Sequence, residues 1–134
     1  MNQTSHFKII FFDYADTLFD SRSAIKPSQL VQLLQQKGQN LDLQTAQTFI
    51  KKINHAADTE QGRQIRKNSD ISAQNHYQAW QQVALSVPGV NPDFADCFYT
   101  CFSDNRNWQP FSDTKTILQT LHQQRLKIAI ISNI

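Results

Sequence analysis

At 134 residues the chain has room for one ordinary domain, or for a small core that carries an insertion, and not for a second independent domain. Its 40% hydrophobic and 10% aromatic content suffices for a packed core. A net charge of +2, with basic residues scattered among Gln and Asn, forms no stripe of the kind that tracks a nucleic-acid backbone, so no nucleic-acid partner is expected. The N-terminus has no basic flank before an apolar core of signal length, and Ile9 to Phe12 is too short to cross a bilayer; a cytoplasmic location without membrane contact is expected.

In chain order, the run Lys8 to Phe12 is apolar or aliphatic-stemmed and stops abruptly at Asp13, which reads as a parallel strand covered on both faces that delivers a carboxylate to its carboxyl edge. Helical patterns begin after Asp20. Pro27 opens a first helix whose stripe is Leu30, Leu33 and Leu34, and Gly38 ends it. A second spans about Leu43 to Ala57, with Ala46, Phe49, Ile50, Ile53 and Ala57 on one face and Lys51, Lys52 and Asn54 opposite. The polar stretch Asp58 to Ser69, with Gly62 inside it, reads as a loop or as a frayed extension of the second helix. Ser69 or Asp70 caps a third helix that buries Tyr77, Trp80, Val83 and Ala84, and Pro88-Gly89 closes it.

Pro92 starts a fourth helix with Phe94, Cys97, Phe98, Cys101 and Phe102 on one stripe. Its two cysteines, without a second pair or zinc-finger histidines, read as buried reduced thiols. Trp108, Pro110 and Phe111 then lead to a helix through Ile117, Leu118 and Leu121, and to a second apolar strand, Leu126 to Ile131, that runs into Ser132-Asn133. The organisation expected is an α/β core of residues 1–20 and 106–134 with a helical bundle, 21–105, inserted directly after the first strand.

The segment Asp13-Tyr14-Ala15-Asp16-Thr17-Leu18 resembles motif I of the haloacid dehalogenase-like (HAD) hydrolases, an apolar strand followed by Asp-x-Asp-Gly-Thr-Leu or Val. Asp13, Thr17 and Leu18 match, whereas Ala15 replaces the second Asp and Asp16 the Gly. The strand ending in Ser132 is similar to motif II, and the helices between are similar in character to a cap. The resemblance implies a partial Rossmann-like parallel sheet with a helical cap. It also implies an aspartyl covalent intermediate, with Asp13 as nucleophile, on small phosphorylated metabolites. Ser132, Asn133 and Thr17 would contact phosphate, and Mg²⁺ would be held by Asp13 and the backbone carbonyl of Ala15.

Ala15 has no carboxylate to protonate a leaving group, a contribution commonly worth ~10²–10⁴-fold. Asp16 has two readings: a residue that stabilises its own turn in a conformation Asp tolerates, or a substitute acid. Ala15 also occurs in the phosphonoacetaldehyde hydrolase branch, where a cap Lys forms a Schiff base; Lys52 is the candidate, and the plainer reading puts Lys51 and Lys52 on a solvated helix face. Dehalogenases of the superfamily also lack the second Asp. The chain as given ends at Ile134, before residues resembling motifs III and IV, so it is expected to be truncated and inactive, with a partner or a further C-terminal part to complete the sheet. The reading from another class is a catalytically dead HAD-like binding or regulatory module, or a gene remnant.

Overall fold

Ile9–Phe12 forms strand β1 and Lys127–Ile130 forms β4, and the two pair in parallel with Ile10 opposite Ile128 and Phe12 opposite Ile130. A parallel pair cannot be closed by a tight turn, so everything between these strands is crossover. The computed structural model describes residues 9–22 and 25–132. Between the strands lie the two-residue β2 (Phe19–Asp20) and six α-helices: α1 (Pro27–Gln36), α2 (Leu43–Asp58), α3 (Glu60–Ile65), α4 (Ala73–Leu85), α5 (Pro92–Ser103) and α6 (Thr114–Gln123). β3 (Gln109–Pro110) pairs antiparallel with β2. The fold is mixed α/β, and among the described residues no helix is long and apolar enough to cross a membrane.

The described residues divide into two compact units, one of 9–22 with 108–132 and the other of 25–107. In the first, α6 packs on β4 and the sheet is two strands wide. The sequence pattern leads one to expect cover on both faces, yet Ile9, Phe11, Ile130 and Ile131 are exposed. Continuous apolar runs report a strand's capacity for burial rather than the neighbours it has.

The second unit is all helical, and each helix has an identifiable start. Pro27 and Pro92 occupy first turns, and the side chains of Asp42, Thr59, Ser72 and Asn91 accept from backbone amides two or three residues into α2, α3, α4 and α5. At the end of α1, Gly38 has φ +77°, and the amides of Gly38 and Gln39 bond back to the carbonyls of Gln35 and Leu34, an arrangement that needs a left-handed residue. The buried stripes meet in one core that includes Leu30, Leu34, Ile53, Val83, Phe98 and Cys101.

Two expectations need correction here. The stretch 58–69 is neither a loop nor a frayed end of α2: Thr59 breaks the helix and caps α3, a 3₁₀ turn follows at Ser69–Ile71, and Ser72 rather than Ser69 or Asp70 caps α4. The reason is a cap followed by a close backbone approach. Thr59 accepts from the Gly62 amide at 3.1 Å and donates to the Ala56 carbonyl, and Gly62 lies so close to α2 that an added Cβ would fall 2.0 Å from the Ala56 oxygen. A glycine that looks like a helix breaker thus lets two backbones touch.

Aromatic rings fill the space between α4 and α5. His76 bonds through Nδ1 to the Tyr99 hydroxyl at 2.8 Å and stacks on Phe102, while the Arg66 guanidinium lies 5.3 Å from the Trp80 ring centre. Burial pushes the His76 pKa below its ordinary value of 6.5; Asp70 opposes this and Arg66 adds to it. Asp96 ties three helices, accepting from the Tyr77 hydroxyl and the Gln81 amide through Oδ1 and facing Lys37 through Oδ2.

Gly62→Ala should therefore lower the stability of the chain by about 1–3 kcal/mol in urea denaturation, because α3 must move off α2 to admit the methyl group. His76 binds protons more weakly folded than unfolded, so its contribution is intact above about pH 6.5 and is lost as pH falls below it. The urea midpoint of the wild type should accordingly drop between about pH 7.5 and about pH 5.5. In His76→Gln that part of the slope should vanish.

Candidate active site at the carboxyl edge of the parallel strands

Asp13 directly follows Phe12, the last residue of β1, and Ser132 lies just beyond β4. The strands are adjacent and parallel, and the Ile131 amide donates to the Phe12 carbonyl at 2.9 Å. Asp13 and Ser132 therefore emerge from the same edge of the sheet on neighbouring strands, and both are exposed. This is where open parallel sheets place their ligands. Asn133, named with Ser132 from the sequence, lies outside the described residues, as does Lys8.

The turn after β1 is held by its own hydrogen bonds. The Asp13 Oδ1 accepts from the Tyr14 amide at 2.7 Å, which fixes the orientation of the carboxyl group. The Tyr14 carbonyl accepts from the amides of Leu18 and Phe19, and the Asp16 amide donates to the Phe19 carbonyl at 2.7 Å. Asp16 has φ +57°, a left-handed conformation at the position where the resemblance places glycine. Its Oδ1 accepts from both the amide and the hydroxyl of Ser21, at 3.2 and 2.8 Å. Asp16 thus closes its own turn.

The same loop is anchored to the segment that enters the second half of the unit. The Leu18 carbonyl accepts from the Phe111 amide at 3.1 Å and from the buried Thr114 hydroxyl at 2.8 Å. The Tyr14 ring stacks between Phe19, centroids 4.6 Å apart, and Trp108, at 5.8 Å. Sequence reasoning missed Ser21 and Thr114 as supports of this loop. Their burial, 1% and 7% exposed, was the only signal, and it exists only in the fold. Thr17 is exposed in the turn beside them.

The resemblance names the Asp13 carboxylate and the Ala15 carbonyl as donors for Mg²⁺, two hard oxygens of the kind it accepts alongside waters and substrate oxygens. Among the described residues no group of three or more His, Cys, Asp or Glu could hold a metal on its own. The thiols offer no alternative nucleophile. Cys97 and Cys101 are buried in the helical core, and burial pushes the Cys101 thiol up to about 11 and raises that of Cys97. Comparison with models of known families and with curated proteins gave no match.

Asp16→Ala should be more destabilising than Asp16→Gly. Alanine loses the Ser21 bonds and also meets a left-handed backbone costing about 1 kcal/mol, whereas glycine loses the bonds alone. Equal losses in thermal unfolding would mean that the positive φ carries no cost in the turn.

Proposed function

We propose that the chain is a HAD-like hydrolase core with an inserted helical cap, acting on small phosphorylated metabolites through Asp13. The observation that carries this reading is the emergence of Asp13 and Ser132 from one carboxyl edge of adjacent parallel strands, in the order in which the resemblance places a nucleophile and a phosphate-binding hydroxyl. In this reading an Asp13 oxygen attacks phosphorus in line and the ester oxygen departs with its electron pair, taking a proton from solvent. Water then cleaves the aspartyl phosphate at phosphorus, returning the carboxylate and releasing phosphate.

The Ser132 hydroxyl would donate to a phosphoryl oxygen as charge builds there, and Thr17 stands in the same turn as a further donor. The Tyr14 amide holds one Asp13 oxygen, which leaves the other to attack. Mg²⁺, held by Asp13 and the Ala15 carbonyl, would supply the positive charge that lets an anion approach an anion. Asp16, bonded to Ser21, is assigned to the turn and not to proton transfer. The protein is placed in the cytoplasm with its substrate.

One observation favours a second reading, a phosphate-binding module without turnover: Ala15 carries no acid and Asp16 is turned to Ser21. The two differ in outcome. Mg²⁺-dependent release of phosphate from p-nitrophenyl phosphate, abolished by Asp13→Asn, is expected of the hydrolase once a partner or a further C-terminal part completes the sheet, and Ala15→Asp should then raise the rate by about 10²–10⁴-fold by restoring an acid. Phosphate binding that needs Ser132, with no turnover in either protein, would instead establish the module.

A further inference from the structure

Lys51, Lys52, His55 and Ala56 recur at three- and four-residue spacing along α2 and form one strip of its surface. That strip is a wall of a cleft of about 690 Å³ within the helical unit, whose floor includes Ile65 at the end of α3 and Val87 beyond α4. The volume is in the range of small-molecule sites. No acidic side chain lines the cleft, and among the described residues neither lysine makes an ion pair. The solvated face read from the sequence is thus also the cationic rim of a concavity with an apolar floor.

These features select a ligand. Two lysines and a histidine on one rim call for an anion, and an extended polyanion would need a longer basic track than this one. A bare inorganic ion would leave Ala56, Ile65 and Val87 uncovered. We propose that the cleft between α2, α3 and the end of α4 binds a small organic anion, a carboxylate or phosphate monoester carrying an apolar body, with the acid group at Lys51, Lys52 and His55 and the body on the apolar floor. The site lies wholly in the helical unit and does not depend on the role of Asp13. Gly62 shapes it, since it is the residue that brings α3 against α2.

The test is a titration of the ¹⁵N-labelled full chain with phenyl phosphate, benzoate and inorganic phosphate, followed by amide shifts. At least one aromatic anion should give saturable shifts along α2 and at Ile65 and Val87, with inorganic phosphate weaker at the same positions. Stronger binding of phenyl phosphate assigns a phosphate ester, and stronger binding of benzoate a carboxylate. Lys51→Gln with Lys52→Gln should weaken binding by about tenfold, the combined effect of two exposed charge contacts. Ser86→Glu, at an exposed rim position, should weaken it similarly without touching a lysine. Asp13→Asn should leave it unchanged. Absence of shifts in the cleft with both aromatic anions, shifts centred on Asp13 instead, or affinity unaltered in both charge variants overturns the proposal.

Discussion

The bond from the Ile131 amide to the Phe12 carbonyl is the last rung of the β1–β4 ladder, and the placement of the candidate site depends on that parallel pairing. Parallel strands must be joined by a long connection, and the helical residues lie within it. Asp13 and Ser132 share that edge because the register sets Phe12 opposite Ile130. A slip of one residue would turn every side chain of one strand to the other face.

What fixes Asp13 is a chain of supports behind it. Its carboxyl group is oriented by the next amide, the turn is closed by the bonds of Asp16 to Ser21, and the loop is tied through the Leu18 carbonyl to Phe111 and Thr114. A carboxylate on an unsupported loop would lose much of its value as a nucleophile, since small displacements of a reacting group cost large factors in rate. The stacked rings of Tyr14, Phe19 and Trp108 give this loop an apolar anchor that its short strands lack.

The helical unit obeys a different constraint. Its helices bury single apolar stripes against one another, and polar groups along their seams are tied in pairs, half-buried His76 with Tyr99 and the part-exposed Asp96 with Tyr77 and Gln81, whereas the buried Asn54 Oδ1 has no partner among the described residues. The cleft beside α2 arises where close packing at Gly62 leaves the lysine-bearing strip facing a hollow.

The sequence by itself determined the elements whose signals are local. Pro27, Gly38 and Pro92 mark helix ends through backbone chemistry that needs no neighbours, and the stripes of α1, α2, α4 and α5 follow from helical period alone. The turn at Asp16 was legible too, because few side chains tolerate a left-handed backbone. Only the tertiary structure decided what the local pattern leaves open: that Glu60–Ile65 folds as a helix against the end of α2, that Thr114 reaches the Leu18 carbonyl from 96 residues away to brace the turn after β1, and that β1 and β4 leave Phe11 and Ile131 exposed. A hydrophobic pattern states how a segment can be buried, but which surface covers it, and which hydroxyl reaches a given carbonyl, is set by chain segments far apart in sequence.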